Sequence, residues 1–173
     1  MNERICIFVD GSNLYHSLKN LGIDKIDFKK LIGVLVNKEL FISLFYYNAS
    51  LDRGFNKEKY WNQQRFFDEL RKIPGIEIVL TKLRKSKRNG KMKFEVKGDD
   101  VNLAIDLVSG AYESLYDRAI IVSGDEDFIP AIKKIQKLGK RVTNAYFKKS
   151  SSAALRKVCD DYLYMNSVIS KIK

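Results

Sequence analysis

The sequence predicts a three-layer α/β/α fold of Rossmann-like type, with a mostly parallel central sheet of about five or six strands. Two observations carry this. Apolar runs without polar alternation, such as Ile5-Cys6-Ile7-Phe8-Val9 and Ala119-Ile120-Ile121-Val122, read as strands buried on both faces. Segments with apolar residues at helical spacing separate these runs, and strand-helix alternation of this kind implies parallel strands joined by helical crossovers.

Taken in order, Ile5–Val9 forms the first strand, and Asn13–Asn20 and Phe28–Val36 form helices, the second with Asp27 as its N-cap. Leu40–Tyr47 is the second strand. Lys57–Lys72 is an amphipathic helix with Tyr60, Trp61, Phe66, Phe67 and Leu70 available for its apolar side, stopped by Pro74-Gly75. Ile76–Leu83 is the third strand. Asn89-Gly90 between Lys82–Arg88 and Lys91–Val96 is the strongest short hairpin signal in the chain and predicts a projecting β-ribbon. A helix over Asp99–Tyr112, a strand over Ala119–Val122, a helix over Asp127–Leu138, a strand over Arg141–Phe147 and a helix over Ser151–Val158 follow. Asp161–Met165 is a short last strand or turn.

At 173 residues the chain fits one domain over 1–173, with the ribbon at about 82–97 as an insertion. A formal net charge of +11 favours a polyanionic partner, nucleic acid before membrane, since no long basic amphipathic helix with an aromatic face is present. Cys6 and Cys159 show neither zinc spacing nor a disulfide framework and are expected as thiols in a reducing compartment. With no apolar run near ~18 residues, the expected location is cytoplasmic and no membrane span is expected. A homodimer is compatible with the sequence, which carries no pattern that fixes an interface.

Against this basic background the aspartates stand out by position. Asp10 is the first charged residue after the first strand. Asp125 and Asp127 follow the Ala119–Val122 strand, and Asp99 and Asp100 open a helix after Gly98. In an open parallel sheet the loops at the carboxyl ends of the strands converge on one edge, and several carboxylates there repel unless a cation sits among them. Each aspartate alone also suits a helix cap or the positive end of a helix dipole. Asp106 lies seven residues after Asp99 and therefore on its face, and six after Asp100, about 240° around the helix.

Phe8-Val9-Asp10-Gly11-Ser12-Asn13, Lys97-Gly98-Asp99-Asp100-Val101 with Leu103-Ala104-Ile105-Asp106, and Ser123-Gly124-Asp125-Glu126-Asp127-Phe128 resemble the three motifs of the NYN domain, in its LabA-like branch of the PIN-like nuclease superfamily. The resemblance runs from the first strand to about Tyr164. It implies a Rossmann-like sheet, an acidic cluster holding Mg2+ or Mn2+, and phosphodiesterase activity on RNA. By motif position it makes Asp10 the metal ligand of the first strand, Asn13 its polar neighbour, Asp100 the acid on the helix, Asp125 the acid ending the fourth strand and Asp127 its companion. Asp99 stands where an apolar residue is commoner, so whether Asp99 or Asp100 faces the site stays open.

Phosphodiester hydrolysis needs an activated water and cations on the phosphoryl oxygens, and carboxylates are the ligands that suit hard Mg2+ or Mn2+. His16 is the only histidine, which leaves a two-histidine ribonuclease mechanism and a zinc site poorly supplied. The ribbon carries Lys82, Arg84, Lys85, Lys87, Arg88, Lys91, Lys93 and Lys97 against the single acid Glu95, a net +7 of the chain's +11. That concentration is the footprint of phosphate contacts, or of an edge protected against aggregation. Lys97, by motif position, lies close to the acids. Lys148 and Lys149 after the fifth strand are further phosphate-contact candidates. Tyr46, Tyr47, Tyr60, Trp61, Phe66 and Phe67 suit the core, or base stacking.

Two further readings share parts of this pattern. One is a non-catalytic RNA-binding module of the same fold. The other is a haloacid-dehalogenase-like phosphatase, whose first motif carries a second acid two residues after the nucleophilic Asp; Ser12 stands at that position and argues against it.

Overall fold

The protein is described by a computed structural model that covers residues 2–54, 56–82, 84–88, 91–95 and 98–173, with side chains described outside 82–97. It comprises β1 (Arg4–Asp10), α1 (Gly11–Asn20), α2 (Phe28–Val36), β2 (Leu40–Ser50), α3 (Lys57–Arg71), β3 (Ile76–Lys82), β4 (Arg84–Arg88), β5 (Lys91–Glu95), α4 (Asp99–Tyr112), β6 (Arg118–Val122), α5 (Ile129–Lys137), β7 (Arg141–Tyr146), α6 (Ala153–Val158), β8 (Asp161–Tyr164) and α7 (Met165–Val168).

Six strands form one parallel sheet in the order β3-β2-β1-β6-β7-β8. β4 and β5 pair antiparallel in a sheet of their own, as the hairpin signal predicts, while Asn89, Gly90 and Lys97 lie outside the described residues. From β1 the chain winds outward through β2 to β3, then returns to the other side of β1 and winds outward through β6, β7 and β8. The direction therefore reverses between β1 and β6. Such a switch point leaves a crevice at the carboxyl ends of the two strands, because their crossovers depart to opposite sides.

The strands earn their central place by burying both faces. On β1, Ile5, Ile7 and Val9 join the core beneath α1, α2 and α3, and Cys6 and Phe8 join the core beneath α4, α5 and α6. Full burial of one large apolar side chain contributes about 1.5–3 kcal/mol, so β1 is the strand around which both layers close. At the edge opposite the crevice, the Arg4 guanidinium donates from Nε and Nη2 to Asp117 and joins the starts of β1 and β6.

Several boundaries differ from the sequence expectation, among them the end of β2, which runs on to Ser50. The first helix begins at Gly11, because the Asp10 carboxylate caps it by accepting the Asn13 N–H. The predicted helix over Asp127–Leu138 is split into a 3-10 turn over Glu126–Phe128 and α5, where Pro130 suits a first helical turn that needs no N–H. The helix expected over Ser151–Val158 begins at Ala153, with Ser152 as its N-cap. On α3 the apolar side narrows to Phe67 and Leu70, with Phe66 half-buried. Trp61 remains 44% exposed, packed edge-on against Tyr60 with Arg53 over its ring. Tyr46, Tyr47 and Phe67 are core residues, which closes the base-stacking option for them.

Candidate acidic site at the switch point

The crevice between β1 and β6 is an open cleft of about 290 Å3 lined by Asp10, Ser12, Asn13, His16, Asp99, Asp100, Asp125 and Ser150. Four separate stretches of chain deliver these residues. The end of β1 and the start of α1 supply Asp10, Ser12, Asn13 and His16, the first turn of α4 supplies Asp99 and Asp100, the loop after β6 supplies Asp125, and the turn after β7 supplies Ser150.

Asp10 is the fixed point. It is only 7% exposed, and both carboxylate oxygens are held: Oδ1 accepts the Asn13 N–H at 2.9 Å and Oδ2 accepts the Ser123 hydroxyl at 2.9 Å. Ser123 Oγ in turn accepts the Asp125 N–H at 3.1 Å. A short relay thus couples the two strand-end acids through one hydroxyl. Asp125 uses Oδ1 to accept the Asp127 N–H and cap the 3-10 turn. Burial raises the Asp10 pKa above its ordinary value, the Asn13 and Ser123 hydrogen bonds oppose that rise, and the charges of Asp99 and Asp125 add to it.

α4 starts at Gly98, whose φ of 103° is a left-handed conformation that favours glycine and turns the chain into the helix. No side chain caps this end, and the first turn instead carries two acids, which the helix dipole favours. Asp99 is buried at 7% exposure while Asp100 is exposed at the mouth, and both line the cleft. Both of the residues between which the sequence leaves the choice open thus border the cleft. The Asp100 pKa is pushed up to about 6, first by desolvation and then by the charges of Asp99, Asp10, Asp125 and Asp127.

The sign of this shift makes a prediction. A carboxyl whose pKa is higher folded than unfolded supports the fold while protonated, and that support is lost as pH rises from about 4 through about 6. In metal-free buffer Asp100→Asn should raise stability at pH 7.5 by about 1 kcal/mol, after allowance for solvent screening at this exposed position, and by nothing at pH 4. Urea denaturation at the two pH values reads the difference; a gain of the same size at both would assign it to something other than charge.

The remaining candidates fall outside this core of the site. Asp127 is exposed and is not among the cleft-lining residues, although its charge is felt at Asp100. Asp106 is engaged elsewhere, accepting the Tyr47 hydroxyl at 3.0 Å. His16 sits exposed at the rim, edge-on to Tyr15. The eight basic residues of the ribbon have side chains outside those described. Among the described residues no three His, Cys, Asp or Glu groups stand together as a ready metal site.

Two contributors were not singled out by sequence reasoning. Ser150 reaches the cleft because its backbone lies against Gly124, and its hydroxyl contacts that of Ser17. Asn144, fully buried on β7, donates its amide to the carbonyls of Ile121 and Ser123 at 3.2 and 2.8 Å and so holds the end of β6. An amide side chain inside a predicted strand was the available signal for Asn144; for Ser150 there was none.

The NYN domain family model matches residues 4–166, from the first strand through all three acidic motifs. The chain belongs to the NYN domain family. This NYN domain is 25% identical over 177 residues to the "Low amplitude and bright protein LabA" of Synechococcus elongatus, an alignment covering 99% of this chain and 88% of that protein. It shares its fold with a protein of unknown function from Vibrio parahaemolyticus, whose crystal structure superposes with a TM-score of 0.72 at 25% identity, covering 95% of this chain and 93% of that one. Membership of the NYN family, within the PIN-like nucleases, and similarity to LabA support a nuclease or RNA-related function. Among the described residues of this NYN domain no helix is long and apolar enough to cross a membrane.

Proposed function

We propose that residues 1–173 act as one NYN domain that hydrolyses phosphodiester bonds in nucleic acid, RNA before DNA, using Asp10, Asp100, Asp125 and Asp127 with Mg2+ or Mn2+. The observation that carries this reading is the crowding of Asp10, Asp99, Asp100 and Asp125 around one open cleft at the switch point of the sheet, close enough for the neighbouring charges to raise the proton affinity of Asp10 and Asp100.

The donor set suits a hard cation. It consists of carboxylate, hydroxyl and amide oxygens with one rim histidine and no thiol, which fits Mg2+ or Mn2+ better than zinc. Bound there, such an ion supplies neutralisation of phosphoryl charge and a water of lowered pKa. Asp10 serves as the anchoring ligand, because its two protein hydrogen bonds fix the carboxylate and leave a lone pair on each oxygen for a ligand. Asp125, held through Ser123, is its partner across the crevice, and Asp99 joins Asp100 on the α4 side. Asp127 acts from the rim through its charge, and Asn13 offers an amide to a phosphate or water. The ribbon residues Lys82, Arg84, Lys85, Lys87, Arg88, Lys91, Lys93 and Lys97 supply phosphate contacts whose strength falls with salt.

Removal of metal tests this reading. Labelled single- and double-stranded RNA and DNA are incubated with the protein in Mn2+, Mg2+ or EDTA. RNA cleavage in Mn2+ or Mg2+, abolished by EDTA and restored by excess Mn2+, is the expected result. Binding without cleavage under every condition would instead establish an RNA-binding module, and hydrolysis of a small phosphomonoester in place of RNA would establish a phosphatase.

A further inference from the structure

Beside the acidic cleft, at the same carboxyl edge of the sheet, β7 and β8 end in tyrosines. Tyr146 closes β7 and pairs in register with Tyr164, the last residue of β8, while Asn144 pairs with Tyr162. Alternation along parallel strands therefore places Tyr146, Tyr162 and Tyr164 on one face. Their rings touch: Tyr146 and Tyr164 lie 5.4 Å apart, and Tyr146 meets Tyr162 nearly edge-on at 6.2 Å. The Arg156 guanidinium lies 4.7 Å over the Tyr146 ring and donates to the Ser151 hydroxyl. None of the three rings belongs to either hydrophobic core, and Tyr162 is 68% exposed.

A ring supported from behind and open in front is prepared for a flat partner, because little side-chain freedom is lost when something stacks on it. The chain between the rings and the cleft adds charge. Lys148 and Lys149 are exposed in the turn after Tyr146, and the next residue, Ser150, lines the cleft. Residues 146–161 contain four cations, Lys148, Lys149, Arg156 and Lys157, against two acids, of which Asp160 accepts the Val142 N–H and the Gln136 amide and Asp161 pairs with Arg141. β8 stands two strand spacings from β6, about 10 Å, which a few nucleotides span.

We propose that Tyr162, backed by Tyr146, which itself packs on Tyr164 and under Arg156, is a base-stacking site for single-stranded nucleic acid that extends the acidic cleft past Lys148 and Lys149. Stacking on aromatic rings combined with cations along the backbone is the general mode of single-strand binding, and a duplex does not offer its base faces. Charge opposes a second copy of the chain on this edge: with Asp160 and Asp161 taken up by Val142, Gln136 and Arg141, it would bring the same net positive segment to face this one. The placement of the scissile bond relative to the stacked base rests on the nuclease reading; the stacking itself does not.

The test is binding of the full chain, in EDTA, to a fluorescent single-stranded RNA of twelve nucleotides and to a strand of equal length with abasic sites throughout. Tyr162→Ala should weaken binding to the RNA by about 10-fold or more, Tyr162→Phe should bind as wild type, and all three proteins should bind the abasic strand alike. Equal affinity of wild type for the two strands, or an unchanged RNA affinity for Tyr162→Ala, overturns the proposal. So does a change from dimer to monomer on sedimentation of Tyr162→Ala with RNA affinity intact, which would give the ring to a second copy. Cleavage in Mn2+ is read separately: a ring-dependent affinity without cleavage keeps the stacking site and removes the nuclease, and cleavage with affinity independent of Tyr162 does the reverse.

Discussion

Asp10→Asn should lower metal-dependent RNA cleavage by about two orders of magnitude or more while leaving the protein folded. The substitution removes one negative charge and little else. Asparagine is as good an N-cap as aspartate, so its side-chain oxygen can still accept the Asn13 N–H that starts α1. Ser123, which donates to Asp10 in the native protein, can rotate to accept from the new amide while keeping the Asp125 N–H. Burial already raises the proton affinity of Asp10, so loss of the charge costs the apo fold nothing at neutral pH and relieves repulsion with Asp99 and Asp125. What is lost is the ligand that the fold holds most firmly. The variant should accordingly show a melting temperature in EDTA at or above that of wild type, and no upward shift on addition of Mn2+, where wild type should gain several degrees. Equal cleavage by wild type and Asp10→Asn would remove the proposed site, whatever their stabilities.

Gly124→Ala should be the most damaging small substitution in the chain. A Cβ at position 124 would lie 1.4 Å from the Ser150 carbonyl oxygen, 2.4 Å from its carbonyl carbon and 2.7 Å from the Ser151 Cα. Those are backbone atoms, and no rotamer change clears them. The Gly124 carbonyl also accepts the Ser152 N–H at 3.0 Å, so the loop after β6 and the start of α6 are clasped at this point. Parting them moves Ser150 out of the cleft and disturbs the Ser152 cap. Overpacking of a rigid site ordinarily costs about 1–3 kcal/mol, and a clash with fixed backbone lies at or beyond the top of that range. Gly33→Ala is the matched control: it lies inside α2 with nothing within 4 Å of the added atom, and should stabilise by about 0.5–1 kcal/mol. Denaturant midpoints of the two variants should move in opposite directions; a Gly124→Ala protein as stable as wild type would mean that the β6 loop and the α6 start are not in contact.

Local patterns made much of this molecule legible. Ile5–Val9 and Ala119–Val122 lack alternation because both their faces are buried, so the central strands could be read without a partner in view. Asp27 before Phe28 and Asn89-Gly90 between basic strands carry capping and turn chemistry within a few residues, and α2 and the β4-β5 pair follow. Boundaries that depend on distant partners were less accessible. The start of α5 waits on how the Asp125 cap shortens the turn before it, and the fate of Trp61 depends on where α3 lies over the sheet. Of the site, Asp10, Asp100 and Asp125 were legible as acids at element ends. The inclusion of Asp99 and the exclusion of Asp127 from the cleft lining were not, because adjacent residues on a first helical turn diverge by about 100° and only packing says which way they point.

The sequence by itself determined the fold class, the three acidic motifs and the excess of positive charge, since each resides in composition or in short-range spacing. Only the tertiary structure decided that β1 and β6 are neighbours across the switch point, that Ser123 joins Asp10 to Asp125, that Ser150 closes the cleft against Gly124, and that three tyrosines meet at the β7-β8 edge. Apart from the local Ser123–Asp125 bond, these are contacts between residues from 16 to more than a hundred positions apart, set by the order in which parallel strands assemble, and no local pattern encodes that order.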